Sequence, residues 1–290
     1  MWTQIAAHIT QAIGVNFHIS DRRSVSGGCI NQGYALSDRQ QQYFVKLNQA
    51  SQISMFEAEA LGLQHLRSTN TLQIPAPICW GVASESAYIV LEWVELGQGT
   101  PQAWRQMGEQ LAAMHQAEWG NRFGWERANT IGSTPQPNPW TDDWVTFFTE
   151  QRLGHQFHLA KRRAGHFPQQ EQLLAAVPEI LAGHQPQPSL VHGDLWSGNA
   201  AVTQSGAPVI FDPATYVGDR EVDVAMTELF GGFPAKFYAG YADRWPLEAG
   251  YEQRKPLYNL YHILNHFNLF GGGYLSQANQ VIQALLQTIR

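Results

Sequence analysis

The sequence predicts an α+β chain in two lobes: an N-terminal antiparallel β-sheet with one main helix over residues 1–94, and a mostly helical C-terminal lobe over 95–290. Three observations lead there. Strand-like stretches, QQYFVKLN and AYIVLEWVE, lie in the first third; the turn-rich LGQGT after them suits a hinge; and beyond it apolar residues recur at helical spacing. With 290 residues, 44% hydrophobic and 12% aromatic, the chain holds enough apolar surface for a packed core. A formal net charge of −6 argues against nucleic acid and anionic membranes, which need a basic surface, and favours a small-molecule partner. No stretch approaches the roughly 18 unbroken apolar residues that span a bilayer. Met1 to Thr10 also lacks the basic start and apolar run of a secretory signal, so the cytoplasm is the expected location. Cys29 and Cys79 are too few for a disulfide framework and too isolated for a paired zinc site, and free thiols are expected.

The elements follow in order. Ile5, Ile9 and Ile13 set a leading helix over Trp2 to Ile13. SVSGGCINQGYAL and QQYFVKLN read as a hairpin turning at Ser37 to Gln41, with Gly27 and Gly28 interrupting its first strand. From Ser51 to Arg67, Met55, Glu59, Gly62, Leu63 and Leu66 share one helical face, and IPAPICWG reads as an extended connector stiffened by Pro75 and Pro77. AYIVLEWVE is a strand. In the second lobe, Met107, Leu111 and Met114 line one face of a helix, and WTDDWVTFFTEQRL reads as another with Thr141 as its N-cap. LVHGDLWSGNAAV and APVIFDPATYVGD each read as a short strand with a turn, and the tail from Leu257 is helical apart from GGG at 271 to 273.

Those two turns carry the chemistry. His192-Gly193-Asp194-Leu195 with Asn199 has the D-L-x-x-x-N spacing of a protein-kinase catalytic loop, with glycine where those enzymes carry arginine. Such a loop faces Asp194 toward an acceptor hydroxyl and returns Asn199 to a metal. In VIFDP, Asp212 stands at a strand end in the position of the second metal ligand. Lys46 shares a strand face with Phe44, opposite Val45 and Leu47, and is read as the phosphate-contacting lysine. Glu59, on the inward face of the following helix, is its carboxylate partner, leaving Glu57 as a surface charge. Gly27 and Gly28 lie where a phosphate-covering loop belongs, although a plain bulge explains two glycines as well, and Cys29 among them is either an oxidisable thiol or a small buried residue. The set implies ATP and Mg²⁺.

With HGDLWSGN, FDPATYVGDREVDVAMTELFGGFP, GGCINQGY, FVKLN, FEAEALGL, IGSTPQPNPWTDDWVTFFTEQRL and LNHFNLFGGGY, the chain closely resembles the fructosamine kinase family, the ketosamine-3-kinases. These are relatives of aminoglycoside phosphotransferases with a two-lobed, protein-kinase-like fold. The resemblance implies ATP-dependent phosphorylation of a ketosamine, small or protein-linked, at the 3-hydroxyl of its sugar, after which the adduct decomposes and the amine is freed. It makes residues 1–94 an ATP-binding lobe with the hinge, and 95–290 the catalytic and substrate-binding lobe. It implies Asp194 as base, Asn199 and Asp212 on Mg²⁺, and Lys46 and Glu59 setting the phosphates. Adenine would bind the backbone of Glu92, Trp93 and Val94, and Asp223 would brace the catalytic loop, with His192 also in support. Trp196 would stack on the sugar, and His262, Asn265 and His266 would line the same pocket. Glu228 and Asp219 stay unassigned.

The interval from Asp212 to Asp219 is too short for an activation loop, which points to a constitutively formed site. Two other readings stand beside this one. The same parts permit phosphorylation of an aminoglycoside or another hydroxylated metabolite, although a polycation calls for a carboxylate-lined pocket. A catalytically silent nucleotide-binding protein would ordinarily have lost one of the lysine, base or metal positions, and all are present. Sugar length and oligomeric state are not legible.

Overall fold

Alternation in the first ninety residues folds as a five-stranded antiparallel sheet, with order β1-β2-β3-β5-β4. Its strands are β1 (Asp21–Val25), β2 (Gln32–Ser37), β3 (Gln42–Gln49), β4 (Pro77–Ala83) and β5 (Ser86–Glu92). The computed structural model describes residues 1–25 and 30–289; Gly27, Gly28 and Cys29, with the phosphate-covering loop expected there, lie outside the described residues. One sheet face is covered by α1 (Trp2–Ile13), whose Ile5 and Ile9 pack with Val45, Leu47, Tyr88 and Val90. The opposite face meets α2 (Ile53–Ser68), where Phe56, Leu63 and Leu66 join Ile89 and Leu91 in the larger core. Each such buried side chain contributes on the order of 1.5–3 kcal/mol. This two-sided burial turns Lys46 toward α2 while its neighbours Val45 and Leu47 face α1.

Two segments of the sheet differ from what their sequence predicts. SVSGGCINQGYAL does not form one interrupted strand: β1 begins at Asp21, and Arg23 pairs with Ala35 of β2, so the chain reverses within that stretch. IPAPICWG is not a bare connector, because Pro77 opens β4. At a sheet edge the missing proline N–H costs no ladder hydrogen bond, and a register shift between Pro77 and Cys79 absorbs the misfit. Cys79 is free and buried there, its thiol pushed up to about 12 by burial.

After β5 the chain is pinned: Gln204 N–H donates to Glu95 O at 2.9 Å and Gly97 N–H to Val202 O at 2.8 Å. The rest is mainly helical. α3 (Pro101–His115) is capped by Thr100, which accepts from Ala103 N–H at 3.1 Å, and packs on α8 (Ala235–Arg244). A short hairpin of β6 (Asn129–Ile131) and β7 (Thr134–Gln136) precedes α4 (Trp144–Thr146), which runs through a π-helical stretch, Phe147–Gly154, into α5 (His155–Lys161). Asp143, not Thr141, caps α4, accepting from Thr146 N–H at 2.7 Å, since its carboxylate is the one a turn before the first free amides. Then follow α6 (Gln170–Ile180), β8 (Pro188–Val191), β9 (Ala200–Val202), β10 (Pro208–Ile210), β11 (Tyr216–Asp219), α7 (Glu221–Leu229), and the long C-terminal pair α9 (Tyr251–Phe270) and α10 (Tyr274–Thr288). β8 pairs antiparallel with β11, and β9 with β10. Among the described residues no helix is long and apolar enough to cross a membrane.

Candidate active site

The β8–β11 ladder and the β9–β10 hairpin bring both chemistry-bearing turns to one place. Beyond Val191, Gly193 takes a φ of +81°, and an added Cβ would lie 2.2 Å from Ala214 O. Only glycine fits there, and the two turns approach each other through it. Two backbone bonds fasten them, Ala214 N–H to His192 O at 2.9 Å and Phe211 N–H to Asn199 O at 3.0 Å, and Asn199 N–H to Trp196 O at 2.9 Å closes the first turn on itself.

His192 is fully buried. Its Nε2 lies 3.0 Å from Phe211 O, which can only accept, so Nε2 carries the proton and Nδ1 accepts from the Asp194 N–H at 3.3 Å. Burial lowers its pKa, in keeping with a neutral ring. Asp223, in the first turn of α7, accepts from the His192 N–H at 2.6 Å and the Gly193 N–H at 2.8 Å. His115 Nε2 lies 3.1 Å from the same carboxylate, and Tyr241 OH lies 2.8 Å from His115 Nδ1. Burial works against the Asp223 charge, but these donors hold its pKa below the ordinary value.

Asp194 has the opposite balance. Burial pushes its carboxyl up to about 7, with the Asp223 charge adding to the rise and the Asn199 bond opposing it. That bond is long: Asn199 Nδ2 donates to Asp194 Oδ2 at 3.3 Å, to Asp194 O at 2.8 Å and toward Asp212 O at 3.5 Å. All donation is thus on the nitrogen side, and Asn199 Oδ1 accepts nothing among the described residues. Asp212 sits in the left-handed region at φ +63°, with its side chain exposed. Its Oδ1 contacts Lys46 Nζ, which also lies 2.7 Å from Glu59 Oε1. The buried lysine therefore joins the α2 carboxylate to the Asp212 turn.

One amide oxygen and one carboxylate, both hard donors beside a lysine, suit a small divalent cation that takes its remaining ligands from phosphates and water. Glu57 is the surface charge expected, its side chain 43% exposed, and its Oε2 pairs with Arg127 Nη2 at 3.0 Å, tying α2 to the second lobe. In the linker, Ala76 N–H donates to Glu92 Oε2 at 3.1 Å and Trp93 Nε1 to Glu95 Oε1 at 2.7 Å. Neither Trp93 nor Val94 commits its main chain to a turn, loop or cap bond among the described residues.

Trp196, next after Asp194-Leu195, is 39% exposed with its ring folded over Gly198. The α9 residues expected around it divide. His262 is buried, its Nδ1 has no partner among the described residues, and burial lowers its pKa to about 3. Asn265 is not an open pocket residue, because it is buried and accepts from Gln156 Nε2 at 3.5 Å. His266 packs among Phe230, Phe270 and Tyr274, with Nδ1 2.8 Å from His262 O, as an aromatic in the helix packing.

Sequence reasoning missed His115, although its signal was present: it falls four residues after Leu111, on the apolar face read for α3. It also missed the buried amides Asn129 and Gln136, which nothing in local pattern marks.

The fructosamine kinase family profile matches residues 1–288. A Synechocystis protein named a "Probable ketoamine kinase" is 60% identical, over 99% of this chain and 97% of its own. The Arabidopsis thaliana chloroplastic protein-ribulosamine 3-kinase is 41% identical, over 92% of this chain and 83% of its own. Among solved structures, a "Putative fructosamine-3-kinase" from Haemophilus somnus superposes with a TM-score of 0.93 at 31% identity, covering 99% of this chain and 98% of that one. An aminoglycoside phosphotransferase in ternary complex with AMP-PNP and hygromycin B has a TM-score of 0.66 at 16% identity, each chain 98% covered, a likeness of fold alone.

Proposed function

The chain belongs to the fructosamine kinase family, a family of ATP-dependent phosphotransferases acting on hydroxyl groups, and we propose that it phosphorylates the 3-hydroxyl of a ketosamine, with deglycation of an amine or protein as the outcome. The observation that carries this reading is that Asn199 bridges Asp194 and the Asp212 turn, while the Asp212 carboxylate contacts a lysine held by Glu59. The choice of a ketosamine comes from the relatives named ketoamine and ribulosamine kinases.

Each part follows from its surroundings. Asp194 accepts the proton of the attacking hydroxyl; a carboxyl pushed to about 7 is basic enough to take it and still partly ionised at neutral pH. Asp223 holds the His192 and Gly193 amides and the neutral His192 ring accepts from the Asp194 N–H, so that the carboxylate does not have to be ordered during the reaction. Asn199 Oδ1 and the Asp212 carboxylate would hold Mg²⁺, which supplies charge neutralisation on the transferred phosphoryl group when bound. Lys46, released from Asp212 and kept in place by Glu59, takes the α/β-phosphates, and the free main chain of Trp93 and Val94, past Glu92, takes adenine. Trp196 offers its exposed face to the sugar. Of His262, Asn265 and His266, His262 alone keeps an unpartnered buried nitrogen among the described residues, and on that ground it is the one assigned to the substrate side.

The test is Mg²⁺-dependent ATP consumption with ribulosamine, fructosamine and erythrulosamine adducts beside an aminoglycoside. Turnover with at least one adduct and none with the aminoglycoside supports the reading. The reverse pattern, or nucleotide binding with no turnover, rejects it.

A further inference from the structure

The Asp212 turn is held from behind by a buried chain of neutral amides that the phosphotransfer machinery does not include. Asp212 keeps a positive φ without being glycine, a conformation that persists only where the surroundings over-determine it. Pro213 follows and has no N–H to donate. The next two carbonyls are both captured by side chains: Gln136 Nε2 donates to Ala214 O at 3.0 Å and Asn129 Nδ2 to Thr215 O at 2.8 Å.

Those two amides are in turn fixed. Asn129 Oδ1 accepts from Gln136 Nε2 and from Asn138 Nδ2, each at 2.9 Å, and Gln136 Oε1 accepts from Tyr261 OH at 2.5 Å. Asn138 Oδ1 accepts from Arg152 Nη2 at 2.7 Å. Arg152 is fully buried on the π-helical stretch, its guanidinium carbon 4.0 Å from the Tyr216 ring centroid, and it forms no ion pair among the described residues. A positive charge at the start of a chain of hydrogen bonds polarises each bond along it, here ending on the Thr215 carbonyl. The same segment is anchored at its other side on the helix that carries Glu59, through Arg127 to Glu57 at 3.0 Å and Trp125 Nε1 to His65 Nδ1 at 3.2 Å.

We propose that Gln136 and Asn129 are positioning residues that set the Asp212 turn, and with it the cation-binding geometry, from the hairpin of β6 and β7. The proposal rests on the reading of Asp212 as a cation ligand. The isosteric Gln136→Met removes the donor to Ala214 O. Tyr261→Phe removes a buried hydrogen bond of the same network without freeing either carbonyl.

The first readout needs no nucleotide or metal: hydrogen exchange of the Ala214 amide, which donates to His192 O, in the full chain. It is expected to speed up about tenfold in Gln136→Met and to stay at the wild-type rate in Tyr261→Phe. The second readout is the free Mg²⁺ giving half-maximal transfer at saturating ATP, expected to rise about fivefold in Gln136→Met with a smaller fall in kcat. Unchanged exchange and Mg²⁺ dependence in Gln136→Met, or equal effects in Tyr261→Phe, overturn the proposal. If Gln136→Met does not fold, Asn129→Ala, which frees Thr215 O, carries the same test with the same outcomes. Asp212→Asn separates the two levels. If it leaves the Mg²⁺ dependence at wild type, the cation reading falls, while exchange at Ala214 still decides whether the amides hold the turn.

Discussion

The ladder of β8 and β11 has an acidic cluster at each end, and the two are built on opposite principles. At the Val191–Tyr216 end stand Asp194, Asp212 and Asp223; at the Pro188–Asp219 end stand Asp219 and Glu221, with Glu248 beside them. The second cluster is saturated. Asp219 lies 2.7 Å from His184 Nε2 and accepts from Tyr258 OH at 2.5 Å, Glu221 is gripped by Arg254 through two bonds of 2.8 and 2.7 Å, and His184 Nδ1 lies 2.9 Å from Glu248. In the first, only Asp223 is comparably paired. Asp194 has one long bond from an amide and a raised pKa, and Asp212 is exposed in a strained conformation. Carboxylates with full sets of donors do structural service, whereas one left short of donors retains the basicity that chemistry uses.

Substitutions at the two ends separate these roles. The largest expected effect is Asp194→Asn, which lowers transfer about a thousandfold while ATP affinity, by calorimetry, stays within about twofold. Retained activity would put Asp194 among the structural carboxylates. At the other end, Arg254→Leu leaves Glu221 buried without its guanidinium and costs about 3–5 kcal/mol of unfolding free energy in urea. The kcat/KM of its folded fraction stays within about threefold of wild type, and a much larger loss would join the two ends functionally.

A smaller effect comes from pH. Because Asp194 works ionised and its carboxyl lies at about 7, kcat/KM falls as pH drops through that value, approaching about tenfold per unit, and Arg254→Leu leaves that profile in place. The smallest is in stability. A carboxyl raised in the folded state favours folding fully only below its ordinary value of 3.8, and loses that contribution as pH rises from there through about 7. Asp194→Asn, neutral throughout, should therefore melt at least about 2 °C above wild type at pH 8 and close to it at pH 4. Equal melting at both values would mean that the Asp194 carboxylate is not under strain.

Much of the first cluster was legible in sequence because a catalytic loop is short. Asp194 and Asn199 lie within one turn of chain, where spacing alone limits which way each side chain faces, and Lys46 and Glu59 follow from strand and helix periodicity. Periodicity failed where two signals overlapped. On α9 nearly every residue from Leu257 to Asn265 is buried, so the position of Asn265 or His266 on the helix did not distinguish a pocket wall from packing. The edge strand β4 was hidden for a similar reason, since prolines that read as a connector are tolerated where no neighbour needs the N–H.

By itself the sequence determined the order of the parts, the two-lobed α+β architecture, the family, and the residue types able to hold a phosphate, a cation and a proton. These depend on local spacing and on side-chain chemistry, which primary order records. Only the tertiary structure decided which carboxylate is left short of donors, that Gly193 must pass against Ala214, and that amides from a distant hairpin close on the carbonyls after Asp212. Hydrogen-bond saturation and burial are sums over neighbours far apart along the chain, and no local pattern encodes them.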